Sequence, residues 1–137
     1  MIDTFGGDTY AAVQVAHALS AHPGKVTIWV PDVCASSGTV IATAGDRIVM
    51  GPHATLSYTD VVAYAAPTEI RTAMRVIADE QGKPIDSVRA QASLLRVAQA
   101  VADARIARGQ HGSTARALAE RLTFAKVDHW TPLFPEE

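Results

Sequence analysis

"CASSGTVIAT", residues 34–43, sets two adjacent serines between a small apolar residue and a glycine, with an apolar run climbing away from them. What flanks this stretch decides the fold. Before it, "KVTIWV" (25–30) is rich in β-branched and aromatic residues and predicts a buried strand, and "PDVCASSG" (31–38) predicts a loop. After the serines comes a short apolar helix over residues 39–44. Gly45-Asp46 then turns the chain into "RIVM", another strand. "GPHATLSYTD" (51–60) holds a turn and a further short strand. Upstream, "MIDTF" (1–5) reads as the end of a strand and "GGD" as a tight turn. Asp8 is placed to cap a helix over residues 9–21, whose apolar stripe is Ala12, Val13, Val15, Ala16 and Leu19. "HPGK" stops that helix, because proline and glycine both break it. Strand–helix–strand alternation implies parallel pairing through crossovers, so the class is α/β.

The second half reads as helical. One helix is expected over residues 67–81, a break at Gly82-Lys83-Pro84, and a longer helix over 85–108, in which Ile85, Val88, Ala92, Leu95, Ala102 and Ile106 recur at helical spacing. Gly109 and Gly112 end it, and a third helix over 113–121 precedes the tail "FAKVDHWTPLFPEE". The expected organisation is a single domain, 1–137, with a strand–helix core over 1–60 and a helical region and tail over 61–137.

Bulk properties agree with a folded domain. The 137 residues are 48% hydrophobic and 19% charged, with a mean hydropathy of +0.10: enough apolar material for a core, too little charge for a disordered chain. A net charge of −2 gives no reason to expect a nucleic-acid or anionic-membrane partner. One cysteine, Cys34, excludes an internal disulfide, and no apolar run is long enough to span a bilayer. The start lacks the charged head and apolar stretch of a signal peptide. A cytoplasmic chain is expected.

Chemistry concentrates at two turns. Gly6-Gly7 and "ASSGT" both fall between a strand and a helix, at the carboxyl ends of strands where α/β proteins build ligand sites. Glycine N–H groups near a helix-start serine supply an oxyanion hole and a nucleophile for acyl transfer. The competing reading is purely structural, since serine is a favoured helix N-cap.

The run "IDTFGGDTYAAVQVAHALSAHPGKVTIWVPDVCASSGTVIATAGDRIVMGPHATLSYTD" resembles the Clp-protease/crotonase superfamily, and within it the serine dehydrogenase proteinase (SDH protease) family, which is related to signal peptide peptidase A. Those families run D-T-P-G-G, a helix, H-P-G-K-V, a strand, S-G-G-T or S-A-G-T, a short helix, and A-D-x-I-V-M. "ALAERLTFAKVDHWTPL" is similar, more loosely, to the family's ending. The resemblance implies a β-α spiral of parallel strands, and a serine peptidase or hydrolase with no cofactor. It puts the nucleophile at Ser36 and the oxyanion donors at the N–H groups of Gly7 and Ser37. Losing one such donor typically costs a hundredfold or more in rate, on the order of 3 kcal/mol. It also implies a peptide or protein substrate and a homo-oligomer. Phe5 stands where the family carries proline, and Thr59 where the Clp subunit carries its catalytic histidine. The chain starts at the glycine-pair strand, so it is read as N-terminally shortened, with an unprotected sheet edge open to another chain.

A serine hydroxyl needs a group to take its proton. Relatives without the histidine use a downstream lysine, whose pKa falls on desolvation. Of Lys25, Lys83 and Lys126, Lys83 lies at the corresponding separation from Ser36, although "GKP" is also an ordinary helix–helix turn. Lys25 begins a strand at the wrong end of the sheet. His53 and His111 read as exposed loop histidines, Asp60 as a turn cap or orienting carboxylate, and His129-Trp130 as a docking contact. Cys34 reads as a small packing residue, and no cluster has metal-ligand spacing. Two alternatives accompany the hydrolase: a truncated, non-catalytic oligomerisation or scaffold member, and a crotonase-type enzyme acting on an acyl-CoA.

Overall fold

A computed structural model describes residues 1–59, 62–66, 69–72, 84–124 and 132–133. Its centre is a set of short parallel strands. β1 (Thr27–Val30) pairs in parallel with β3 (Arg47–Met50), Trp29 opposite Val49. Ile28 and Val30 are buried, but Trp29 is 49% exposed, so the strand alternates instead of being covered on both faces as its composition suggests. Pro31 has no N–H to donate and interrupts the strand. Pairing resumes in β2 (Val33–Cys34), a strand lying inside the stretch expected to be loop, which runs parallel to β4 (Thr55–Ser57). The partner strand breaks at the same level, at Gly51. A Cβ there would sit 2.4 Å from the Pro31 carbonyl oxygen, so only glycine lets the chains pass.

The N-terminal segment lies along the other side of the same strands. Ile2 N–H donates to Trp29 O (2.8 Å), Thr4 N–H to Val33 O (2.8 Å), and Ala35 N–H to Thr4 O (2.9 Å), with Thr4 and Cys34 forming a parallel bridge. The expected strand at 1–5 is therefore an extended segment with one bridge. β7 (Pro132–Leu133) adds antiparallel to β4.

α1 (Thr9–Ser20) starts where Asp8 accepts from Ala11 N–H at 2.7 Å. Its buried stripe is Ala12, Val13 and Ala16; Val15 is 44% exposed, outside the inward face it was expected to share. α2 (Ser37–Ala42) begins two residues before the expected start. α3 (Pro84–Ala107) packs on α1 and α2, and α4 (Gly112–Thr123) packs on α3. α3 closes in a Schellman turn: Gly109 takes φ +85°, Gln110 N–H donates to Arg105 O (3.0 Å) and Gly109 N–H to Ile106 O (2.9 Å). Gly112 opens α4, so it is a start and not part of the preceding stop. Val13, Ala16, Val40, Val97 and Val101 form one core here, and Ile28, Val30, Cys34, Ala42 and Ala54 a second beneath the sheet. Burying a side chain such as Val97 contributes roughly 1.5–3 kcal/mol.

Two readings of the second half are corrected. The helical periodicity of α3 holds but its phase does not. Leu94, Val97, Val101 and Ala104 face inward; of the expected stripe Ala102 is buried, whereas Ala92 is exposed and Leu95 and Ile106 are 55% and 41% exposed. The helix expected from residue 67 is replaced over 69–72 by strand. β5 (Val62–Ala66) and β6 (Glu69–Thr72) pair antiparallel, Val62 with Thr72 and Tyr64 with Ile70. Val, Tyr, Ile and Thr are strand formers spaced two apart, and that preference wins over the helix-start signal of Pro67. Residues 73–83 lie outside the described residues. No helix among the described residues is long and apolar enough to cross a membrane.

Candidate active site

Two turns meet at the carboxyl ends of the parallel strands. The first follows the N-terminal segment. Gly6 has φ +110°, a conformation that side chains rarely adopt, and its N–H is held by Thr4 Oγ1 at 3.1 Å. A Cβ on Gly6 would lie 2.8 Å from Ser36 Cβ and 3.2 Å from Ala35 O, so this turn is pressed against the second. Gly38 does the same from the other side: a Cβ there would fall 2.6 Å from Thr4 Cγ2. The two turns are also bonded, because Ser37 Oγ donates to Gly7 O at 2.9 Å. The structure thus brings together Gly7, Ser36 and Ser37, as the sequence reading anticipates.

Ser36 is strained. With φ +52° and ψ −116°, it is the single non-glycine residue at positive φ among those described, a conformation costing of order 1–3 kcal/mol. It occupies the N-cap position of α2, yet its hydroxyl makes no capping hydrogen bond. A serine selected only as a cap would accept from the second or third N–H of the helix. Among the described residues the half-buried Ser36 hydroxyl has no hydrogen-bond partner, so capping does not account for the residue.

Hydrogen bonds from neighbouring backbone hold the conformation. Ser36 N–H donates to Ser57 Oγ at 2.7 Å, and Ser36 O accepts from Thr39 N–H at 2.9 Å. Thr39, buried, has its hydroxyl within hydrogen-bond reach of both Cys34 O (2.9 Å) and Ser57 O (2.8 Å), joining α2 to β2 and β4. By contrast, the N–H groups of Gly7 and Ser37 enter none of the hydrogen bonds among the described residues. Ser57 is a neighbour of Ser36 that the sequence reading missed, whereas Thr39 is placed locally by α2. Only the parallel register of β2 and β4, Cys34 opposite Leu56, places Ser57 beside Ser36.

The base is not among the groups described near Ser36. Lys83 lies outside the described residues, as do Asp60, Lys126, His129 and Trp130. No described side chain hydrogen-bonds to the Ser36 hydroxyl. Lys25 is 90% exposed and paired with Asp46 at 3.6 Å, at the other end of the strands. His53 is exposed, and His111 Nδ1 lies 2.9 Å from Ser113 Oγ at the start of α4. Thr59, where the resemblance put the Clp histidine, is a buried tie: its N–H donates to Leu122 O (3.0 Å) and its hydroxyl meets Thr123 Oγ1 (3.0 Å). The Cys34 thiol is fully buried and pushed up to about 12, first by desolvation and then by the charge of Asp3, which suits a packing residue. Among the described residues, no group of three His, Cys, Asp or Glu side chains gathers to hold a metal.

The far end of α2 is held by cations. Arg105 Nη1 donates to Gly45 O (2.8 Å) and Thr43 O (3.3 Å), and the half-buried Arg108 donates to Ala44 O (3.0 Å), Gly24 O (3.2 Å) and Asp46 (3.1 Å). Cations here satisfy carbonyls that the short helix leaves unpaired. A cavity of about 260 Å³, lined by Thr43, Asp46, Ile48, Arg105 and Leu118, opens beside them.

Two curated proteins are similar to parts of the chain. Uncharacterized protein MJ0137 of Methanocaldococcus jannaschii is 39% identical over 82 residues, 58% of this chain and 29% of that protein. Uncharacterized protein MJ1495 of the same organism is 38% identical over 60 residues, 44% of this chain and 20% of its own length. The chain therefore spans less than a third of the curated relatives it matches. No solved structure matches it. A family model for the ClpP-like SDH-type serine proteinases matches residues 1–137, from the glycine-pair turn through the serine turn to the C-terminal helices, and the chain belongs to that family.

Proposed function

We propose that Ser36 is the nucleophile of a serine peptidase acting on a peptide or protein carbonyl. The observation that carries the reading is the backbone of Ser36: a strained positive-φ serine at a helix N-cap whose hydroxyl does not cap. Strain of this kind persists where surrounding contacts over-determine it, and it aims a side chain away from its ordinary local partner. In the proposed reaction, Ser36 Oγ bonds to the substrate carbonyl carbon while its proton passes to the base. The negative oxygen is met by the N–H groups of Gly7 and Ser37, both without acceptors among the described residues. The amine leaves with the proton from the base, and water then cleaves the acyl-serine ester. Lys83 is the base in this proposal, on its separation from Ser36 alone. A spiral of the Clp/crotonase type, assembled as a homo-oligomer, is part of the same proposal.

The test is labelling of the full chain by a fluorophosphonate probe. Label is expected on Ser36, absent in Ser36→Ala, and present but slowed in Ser37→Ala, which keeps the backbone donor. A folded, assembled sample that takes no label overturns the proposal. It would favour instead a non-catalytic, oligomerising member.

A further inference from the structure

We infer that Ser57 is a positioning residue for the nucleophile: its hydroxyl fixes the peptide plane entering Ser36, and with it the aim of the Ser36 hydroxyl. The inference rests on the hydrolase reading and adds to it a residue outside both turns.

Ser57 is 5% exposed on β4, and its two hydrogen bonds settle its role. Its one hydroxyl proton goes to Tyr58 O at 3.0 Å. Toward Ser36 the oxygen can then only accept, and it does so from the Ser36 N–H at 2.7 Å. The oxygen cannot drift, because the backbone that carries it is anchored. Ser57 O accepts from Thr39 Oγ1 at 2.8 Å, and the residue before it is paired with Cys34. Neither the strand nor the helix needs a side-chain oxygen at position 57, so the bond to Ser36 is an addition to the fold.

Its consequence follows from the alternative open to Ser36. An N-cap serine ordinarily takes an extended backbone at negative φ, and its hydroxyl accepts from the N–H groups of the first helical turn. That basin would relieve the +52° conformation, and it would commit the oxygen that must attack substrate. Ser57 biases Ser36 against it by holding the peptide plane on its N-terminal side while the Thr39 N–H holds its carbonyl on the other. The Ser37 N–H lies one peptide further on, so relaxation of Ser36 would also turn an oxyanion donor.

The test compares fluorophosphonate labelling rates of the full chain with amide hydrogen exchange at Ser36. Ser57→Ala is expected to slow labelling by about tenfold or more, since small misplacements of a reacting group carry costs of that order. It should also remove the protection of the Ser36 amide. Ser57→Thr, which keeps the acceptor, should restore most of both. Thr43→Ala removes a comparable buried hydroxyl, bonded to Val40 O at 2.7 Å, from the other end of α2. It should lower the melting temperature with labelling kept within about twofold of the starting rate, a change too small to signal misplacement. Ser57→Ala labelled at the starting rate, an unchanged Ser36 amide, or equal slowing in Thr43→Ala would each overturn the inference. A folded wild type that takes no label overturns the hydrolase reading and the positioning role together. Loss of Ser36 amide protection in Ser57→Ala would then mark the bond as structural only.

Discussion

The hydroxyl of Ser37 donates to the carbonyl oxygen of Gly7 across 2.9 Å, joining two turns that are 30 residues apart in sequence. Ser37 is 94% buried, so the donor side of this part-buried bond is shielded from water. It ties the residue after the proposed nucleophile to the glycine whose N–H is the other proposed donor. The two halves of the proposed oxyanion site are thereby held by one hydroxyl.

Ser37→Ala should separate this coupling from folding. The variant keeps the Ser37 N–H and leaves Gly7 O without its described partner, at a cost of about 1–3 kcal/mol in stability. Labelling of Ser36 should slow by about tenfold, because one donor becomes mobile without being removed. Ser37→Thr, which retains a hydroxyl, should recover most of the rate. Melting temperature and labelling rate measured on the same samples check both expectations.

Gly6→Ala should be worse than its small volume suggests. The new Cβ would fall 2.8 Å from Ser36 Cβ, and φ at +110° is unfavourable for any side chain. Strain and overlap together should cost about 2–4 kcal/mol. Gly7→Ala meets no atom within 4 Å at its Cβ, so its overlap term is absent. The two alanine variants, compared by thermal melting, should therefore differ, with Gly6→Ala the less stable.

How far the sequence carries depends on which contacts are local. The strand–turn–helix order around Ser36 and the glycine pair are local patterns, and both turns stand where they were expected. Ser57 was not legible, because "ATLSYTD" contains nothing that distinguishes a buried serine from a strand-end one. Its role exists only through pairing with a strand more than 20 residues away. The phase error in α3 has a compositional cause. Alanine occupies positions 90, 92, 98, 100, 102, 104 and 107, covering every face, so helical period is readable but the buried side is not. Residues 62–66 and 69–72 show the opposite failure: they pair as strands, where Pro67 had suggested a helix start.

Asp46 should make stability depend on acid. Its carboxyl is held below its ordinary 3.8, first by the Val26 N–H at 2.7 Å and then by the charges of Arg108 and Lys25. A depressed folded pKa means that the unfolded chain binds the proton more readily. The stabilisation is thus complete above the ordinary value and is lost as pH falls through the lower folded one. Asp46→Asn should melt below wild type at pH 7, and the two melting curves should converge as pH falls below the ordinary carboxylate value. Parallel curves across that range would mean that Asp46 gives no pH-linked stability.

Cys34 should report on the integrity of the site without taking part in it. Its thiol is fully buried and pushed up to about 12, so at pH 8 roughly one molecule in ten thousand carries the reactive thiolate. Iodoacetamide should therefore leave the native chain unmodified and alkylate it once urea unfolds it. The Cys34 sulfur would lie 3.1 Å from a Cβ built on Gly38, and its residue bridges to Thr4, so any opening that exposes it also parts the two turns. Native-state alkylation at Cys34 should accelerate in Gly6→Ala by the same factor as its loss of stability if opening is global. A larger acceleration would show that the turns separate locally, ahead of unfolding.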